Sequence, residues 1–331
     1  MRRKITDKIA IIAGARPNFV KIFPLAISLR KNRIPYFIVN TGQHFSKEMS
    51  ADLLKEFSLA PNYSLKPNTK TSLRQFSDIL VGLEKIFIRE NPSLVIVVGD
   101  VNSTLAGAIA AKKLNLKLAH IEAGLRSHNR KMPEEYNRVI TDRLADILFV
   151  SSESDIKNLK KENISKGIYF VGNIMMDTLA FFRKKIKTTK RPEEFYLCTI
   201  HRSENVDNEK VFTEMIDALE IISKDCKIYL PLHPRTRKMA VRLGLYKRLN
   251  KIFSLLPVLS YEESLYFQKN AKLILTDSGG IQEEASFLGT PCLTLRTETE
   301  RPVTIKFGTN TLAGVTKKSI LRAYSKKKLR G

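Results

Sequence analysis

A glycine, an arginine and a lysine stand together in Gly14-Ala15-Arg16-Pro17-Asn18-Phe19-Val20-Lys21, directly after an apolar run. Gly14 permits a tight turn, and Pro17 suits the start of a helix. Arg16 then lies where a helix N-terminus already attracts anions, with Lys21 one turn further on. A second anion-binding pattern is Thr276-Asp277-Ser278-Gly279-Gly280-Ile281-Gln282-Glu283-Glu284. Backbone N–H groups of Ser278, Gly279 and Gly280 can point at a phosphate there, with a helix dipole behind them. Glu284, read as lying on the first turn of that helix, is placed to accept hydrogen bonds from ribose hydroxyls. Each pattern has a structural counterpart. The first can be two surface cations, and the second a glycine-rich turn with a capping serine.

Proton chemistry falls to carboxylates that follow apolar runs. Asp100 follows Leu94-Val95-Ile96-Val97-Val98 across Gly99, and Glu122 sits in His120-Ile121-Glu122-Ala123-Gly124-Leu125-Arg126. Glu134 and Glu135 open a helix after Pro133, where one of the two need only offset the helix dipole. Charged groups that end buried strands require partners, and closely spaced carboxylates push their pKa values apart, which suits acid–base work. Thr199-Ile200-His201-Arg202-Ser203-Glu204-Asn205 opens the second half of the chain as Arg16 opens the first. His201 is a candidate phosphate contact or acid, and His233 in Leu232-His233-Pro234 is a similar one.

Other chemistries lack their signatures. No Gly-x-Gly-x-x-Gly follows an early strand, so the dinucleotide fingerprint is missing. No histidine pair has metal-site spacing, and no metal is expected. Cys198, Cys226 and Cys292 are scattered among apolar residues and read as buried reduced thiols of a cytoplasmic protein. The net charge of +24, from 57 Lys and Arg against 33 Asp and Glu, invites a nucleic-acid reading. Yet the basic residues are spread over many helix faces without interleaved aromatics, which favours a solvated surface that draws small anions. The dense exception is the tail Lys326-Lys327-Lys328-Leu329-Arg330. No segment approaches the roughly 20 apolar residues of a membrane span.

The elements that must carry these residues follow from hydropathy. A chain of 331 residues exceeds one core, so two domains are expected. Strand-like runs at 8–13, 36–40, 94–98, 117–121, 147–150 and 168–171 alternate with helical patterns at 19–30, 104–114 and 135–145. The second half repeats the theme. Strands are expected at 195–200, 227–232, 272–276 and 291–295, and helices at 209–224, 235–251, 262–270 and 281–288. This is an α/β fold of two Rossmann-like, doubly wound domains with parallel sheets covered on both faces. A polar stretch at 177–194 marks the border, giving domains 1–176 and 177–331. Ligands gather at the carboxyl ends of such strands, and a central cleft between facing halves is the expected site.

Further blocks complete the pattern: Thr41-Gly42-Gln43-His44, Pro133-Glu134-Glu135-Tyr136-Asn137-Arg138, Val171-Gly172-Asn173 and Thr299-Glu300-Arg301-Pro302. In this order, from Lys8 to about Gly314, the chain resembles the non-hydrolysing UDP-N-acetylglucosamine 2-epimerases. The resemblance implies the two-domain arrangement called GT-B, with sugar and catalytic carboxylates on the first domain and UDP on the second. It implies that Ser278, Gly279 and Gly280 hold the diphosphate and Glu284 the ribose. Arg16, His201 and Arg301 become further UDP contacts with Lys21 close by. Asp100, Glu122 and Glu134 match the acid–base carboxylates, His201 joins the catalytic set, and Arg138 supports them.

The reaction implied is elimination of UDP to a 2-acetamidoglucal and re-addition on protonation from the other face. That interconverts UDP-GlcNAc and UDP-ManNAc with no cofactor. Gln43, His44 and His233 match part of a second, activating substrate site, from which Phe45 and Ser46 depart. A cytoplasmic homodimer with a UDP-amino sugar as its partner is expected, with no membrane or nucleic-acid partner. Relatives usually continue several dozen residues past Gly314, so a shortened C-terminal helix is expected. The alternatives are a hydrolysing epimerase, an epimerase of a modified UDP-amino sugar, a GT-B glycosyltransferase and an inactive UDP-sugar or anion binder.

Overall fold

The apolar runs become parallel strands because helices cover both of their faces, leaving no side on which alternating polar residues are needed. The computed structural model describes residues 6–43, 53–129, 132–184, 186, 193–299 and 301–328. His44, Phe45, Ser46 and Glu300 lie outside the described residues. The chain divides into two units, Met1–Ala180 and Phe181–Gly331.

The first unit contains β1 (Thr6–Ala13), β2 (Tyr36–Asn40), β3 (Tyr63–Ser64), β4 (Pro92–Val98), β5 (Lys117–Ala123), β6 (Ile147–Val150) and β7 (Ile168–Phe170). They form one parallel sheet in the order β3-β2-β1-β4-β5-β6-β7. Its helices are α1 (Arg16–Lys31), α2 (Ser72–Glu90), α3 (Asn102–Lys113), α4 (Pro133–Leu144), α5 (Glu153–Lys161) and α6 (Ile174–Arg183). Strand order reverses between β1 and β4, the kind of switch point at which α/β sheets open a ligand crevice. The core packs Ile12, Val39, Val95 and Val97 against Ile79 and Leu83 of α2 and the alanines of α3. Gly107 lets α3 approach closely: a Cβ there would lie 2.9 Å from Val97 Cγ1.

The second unit contains β8 (Phe195–Thr199), β9 (Lys227–Pro231), β10 (Phe253–Leu256), β11 (Leu273–Thr276), β12 (Cys292–Thr294) and β13 (Asn310–Leu312). Their order is β10-β9-β8-β11-β12-β13, again parallel, with the switch between β8 and β11. The helices are α7 (Ser203–Val206), α8 (Glu209–Ile222), α9 (Pro234–Arg242), α10 (Tyr246–Ile252), α11 (Tyr261–Asn270), α12 (Gly279–Leu288), α13 (Pro302–Lys306) and α14 (Lys317–Lys328). One face of the sheet buries Cys198, Leu230 and Leu275 under Phe212 and Ile216 of α8. The other stacks Phe195 edge-on against Tyr229 and Phe267, with ring centroids 5.3 and 5.7 Å away.

Both units are thus α/β and Rossmann-like, as the hydropathy requires, but several elements differ from expectation. The single helix at 235–251 is two helices. Gly244, at φ +69°, ends α9, and Leu245 N–H returns to Ala240 O at 2.8 Å. The start of the stretch at 177–194 is helical: Met175, Leu179 and Phe182 are buried along α6, and the unit division after Ala180 falls within that helix. Helix α2 goes unforeseen, although Thr71 caps it and Ile79, Leu83 and Ile86 mark its buried face. The last described helix, α14, packs in the second unit through Ile320, Ala323 and Tyr324, and the Tyr324 hydroxyl lies 3.0 Å from that of Tyr196. Cys198 and Cys292 are buried, which pushes the Cys292 thiol up to about 12, but Cys226 is half-buried.

Candidate active site

The loop after β1 is held by contacts from two neighbouring elements. The hydroxyls of Thr41 and Ser103 hydrogen-bond at 2.6 Å directly above Gly14. Any Cβ at Gly14 would collide with both, so glycine is demanded by close approach rather than by its φ. Asn18 Oδ1 accepts from Gly14 N–H and Ala15 N–H, while its Nδ2 donates to Val98 O at 3.1 Å. That side chain ties the β1 loop to the end of β4. Arg16 is the first residue of α1 and half-buried, with Pro17 next to it. Gln43, expected in a second substrate site, has structural work. Its Oε1 accepts from Ser103 N–H at 2.9 Å and so caps α3.

Lys21 and Glu122 form a buried ion pair, with the residues 7% and 5% exposed. Glu122 does not follow its strand, as the sequence suggests, but sits inside β5 at φ +70°. Pairing of β5 with β6 shifts register between Ile121 and Ala123, so Glu122 is a bulged residue whose side chain is re-aimed. A left-handed non-glycine residue costs roughly 1–2 kcal/mol, and such strain concentrates at functional sites. Gly99, also at φ +70°, borders the pair: a Cβ there would lie 3.5 Å from Glu122 Oε2 and 3.6 Å from Lys21 Nζ.

Asp100 pairs with Arg138 of α4, and Arg138 Nη1 also donates to Glu135 Oε2 at 2.9 Å. Asn137 Nδ2 holds the Asp100 carbonyl at 2.8 Å. The two glutamates that open α4 have separate fates. Glu135 is buried and accepts from Ser127 N–H, Ser127 Oγ and His128 N–H, each at 2.9 Å, so it braces a loop rather than merely offsetting a dipole. Glu134 is half-buried and has no hydrogen-bond partner among the described residues, which leaves it available for chemistry.

Burial alone would raise the Glu135 pKa, but the Ser127, His128 and Arg138 donors outweigh it and hold the carboxyl below its ordinary 4.5. A depressed folded-state pKa stabilises above the unfolded value and is lost as pH falls through the folded one. Stability is therefore expected to be lost as pH falls from the ordinary carboxylate value of 4.5 through the lowered one. Glu135→Gln should lower Tm at neutral pH and flatten that slope, as thermal melts across pH would register.

The same edge contains a network that the sequence reading left unassigned. His120 is fully buried, with Nδ1 2.7 Å from Asp142 Oδ1 and Nε2 2.8 Å from Gly99 O. Asp142 Oδ2 accepts from Gly124 N–H at 3.0 Å and pairs with Arg126 Nη1 at 2.8 Å. Arg126 in turn grips both oxygens of Glu162 at 2.7 Å. Burial would raise the Asp142 pKa, but His120 and Arg126 together hold it below the ordinary value. These groups pin the backbone on either side of Glu122 and Asp100. A polar pair inside apolar strands and helices is the signal that could have found them.

In the second unit the loops after β8 and β11 meet at Asp277, which is fully buried. Its Oδ2 accepts from His201 N–H at 3.0 Å, Arg202 N–H at 2.9 Å and Asn205 Nδ2 at 3.3 Å. Its Oδ1 faces His201 Nδ1 at 3.2 Å. Ser278 caps α12 with its hydroxyl, and its own N–H is taken by Thr276 Oγ1 at 3.0 Å. Gly279 and Gly280 begin the helix, where amides have no helical acceptor. Glu284 lies on the second turn, not the first, because α12 already starts at Gly279. Gln268 Nε2 steadies it from α11 at 2.6 Å.

Arg301 pairs with Glu283 at 3.4 Å. His233 caps α9, and its ring centroid is 5.4 Å from that of His201. Lys21, Asp100, Glu122 and Arg138 therefore form contacting pairs at the carboxyl edge of the first sheet, with Arg16 and Glu134 at the starts of adjoining helices. His201, His233, Ser278, Gly279, Gly280, Glu284 and Arg301 gather at the corresponding edge of the second. Among the described residues, no three His, Cys, Asp or Glu are arranged to hold a metal ion.

A family model for UDP-N-acetylglucosamine 2-epimerase matches residues 28–329. A Methanococcus maripaludis protein named UDP-N-acetylglucosamine 2-epimerase homolog is 42% identical over 331 residues, which covers 96% of this chain and 92% of that protein. A Pseudomonas aeruginosa relative, UDP-2,3-diacetamido-2,3-dideoxy-D-glucuronate 2-epimerase, is 39% identical over 325 residues, covering 96% and 91%. The crystal structure of Methanocaldococcus jannaschii UDP-GlcNAc 2-epimerase in complex with UDP-GlcNAc and UDP is similar at a TM-score of 0.88. It is 38% identical and is matched over 97% of this chain and 92% of that one.

Proposed function

The chain belongs to the UDP-N-acetylglucosamine 2-epimerase family, and on that premise we propose that it interconverts UDP-GlcNAc and UDP-ManNAc without net hydrolysis. The observation that carries this reading is the strained, buried Glu122–Lys21 pair beside the Asp100–Arg138 pair. The sugar's C2 proton is not next to a carbonyl, so direct deprotonation is too hard. Elimination avoids that obstacle. A carboxylate removes the C2 proton, the C–H electron pair becomes the C1=C2 double bond, and the C1–O pair departs with UDP. Protonation at C2 from the opposite face and return of the UDP oxygen to C1 complete the inversion.

Asp100, Glu122 and Glu134 are the groups for these proton transfers. Arg138 and Lys21 hold the Asp100 and Glu122 carboxylates in place by pairing with them. The second unit takes the nucleotide. Gly279 and Gly280 N–H groups and the capped α12 terminus suit the diphosphate, with Glu284 for the ribose. Arg16, His201 and Arg301 add the charge and donors that a departing diphosphate needs. Activation by substrate, through Gln43, His44 and His233, accompanies this reading and calls for sigmoidal rates from the UDP-ManNAc side.

The 39% identical P. aeruginosa relative supports a second substrate reading, a modified UDP-amino sugar, with the same chemistry. Incubation with UDP-GlcNAc followed by proton NMR separates the cases. UDP-ManNAc forming without stoichiometric free UDP is the expected result. Free UDP in step with a free amino sugar means a hydrolysing enzyme. Inertness to UDP-GlcNAc with turnover of the diacetamido uronate selects the second substrate.

No described helix is long and apolar enough to cross a membrane, and three free thiols fit a reducing compartment, which supports a cytoplasmic location. Exposed Leu73, Val81 and Ile88 share one side of α2 and support a homodimer.

A further inference from the structure

Both ring nitrogens of the fully buried His120 face acceptors. Nε2 lies 2.8 Å from the Gly99 carbonyl oxygen, and Nδ1 lies 2.7 Å from Asp142 Oδ1. A peptide carbonyl only accepts, and so does an ionised carboxylate. Asp142 is held in the ionised form from its other side. There Oδ2 accepts from Gly124 N–H at 3.0 Å and pairs with Arg126 Nη1 at 2.8 Å. A neutral imidazole has a single N–H and would set a lone pair against one of the two oxygens. The imidazolium has two and satisfies both. Its charge is compensated, because Asp142 touches it and Glu162 matches Arg126.

We propose that His120 is a buried imidazolium and a positioning residue, whose two N–H groups fix the backbones that present Asp100 and Glu122. This rests on the reading that those carboxylates move the C2 proton. Nε2–H holds the carbonyl of Gly99, the residue that leads into Asp100. Nδ1–H holds Asp142, whose second oxygen takes Gly124 N–H, two residues past Glu122. His120 itself stands two residues before Glu122 in β5. The left-handed residue at φ +70° is thus clasped from both sides by one chain of hydrogen bonds. Loss of either ring proton opens one clasp.

Two substitutions open one clasp each. The amide nitrogen of glutamine overlays Nε2 and can keep the Gly99 carbonyl, whereas that of asparagine overlays Nδ1 and can keep Asp142. His120→Gln and His120→Asn should each lower kcat by about 10²-fold, the scale on which a misplaced reacting group costs rate. KM and UDP affinity should change little, since the nucleotide contacts are assigned to other residues. A variant that binds UDP as the wild type does and retains its kcat would overturn the positioning role. So would a fall that appears in KM and UDP affinity as much as in kcat, which marks a general brace.

A second measurement needs no variant, and it decides if neither variant folds. In nitrogen-15 spectra of the histidine-labelled wild-type chain, one ring with slowly exchanging N–H protons should show both nitrogens protonated. His128, His201 and His233 all have solvent-exposed surface, so their ring protons exchange fast. A slowly exchanging ring with a single protonated nitrogen would overturn the proposal. The spectrum does not depend on turnover. A wild-type chain inert to UDP-GlcNAc but with the doubly protonated ring would therefore remove the epimerase reading and leave the clasp intact.

Discussion

Glu122→Gln and Asp100→Asn should each lower kcat by about 10²–10⁴-fold while UDP still binds, because a positioned acid or base contributes on that scale. The nucleotide is assigned to the second unit, and neither carboxylate belongs to it. The two variants should differ in stability. Glu122→Gln leaves the Lys21 ammonium buried opposite a neutral amide, and breaking a buried pair from one side costs about 3–5 kcal/mol. Asp100→Asn is milder, since Arg138 keeps Glu135. Steady-state rates, calorimetric UDP titration and thermal melts read these effects separately. If both variants lose UDP binding along with turnover, neither carboxylate is an acid–base group.

Arg126→Met is expected to be the most destabilising single change away from the reacting groups. It removes the bidentate grip on Glu162 and leaves Asp142, which is fully buried, without its arginine and with His120 as its remaining side-chain partner. The expected loss is about 3–5 kcal/mol. For a unit of this size that is a fall in Tm of roughly 6–20 °C. Because Asp142 also holds Gly124 N–H, the Glu122 bulge should loosen and kcat should fall with stability. A Tm unchanged within error would mean that the network is incidental to the fold.

Much of this architecture was readable from hydropathy. Val95-Ile96-Val97-Val98 and Leu273-Ile274-Leu275 have no polar alternation, and only strands covered on both faces fit that pattern. Arg16, Asp100, His201 and Ser278 could be found because each follows such a run, and both switch points fall between those runs. The particulars that shape the chemistry were not readable. The left-handed Glu122 is a consequence of pairing β5 with β6, and no local sequence feature announces it. The choice of Glu135 over Glu134 as the loop brace depends on where Ser127 and His128 come to rest. Asp277 looks like the start of a glycine turn until β8 and β11 lie side by side. Local propensity reaches caps and turns, whereas these contacts depend on strand register and long-range closure.

The proton removed from C2 must exchange with water if elimination and re-addition run through shared carboxylates. Incubating the wild-type chain with UDP-GlcNAc in deuterated water, then recovering both nucleotide sugars, tests this directly. Deuterium at C2 of UDP-ManNAc and of returned UDP-GlcNAc is the predicted result. Epimer formed with its original C2 hydrogen, or UDP-GlcNAc consumed to free UDP with no labelled nucleotide sugar, would contradict it.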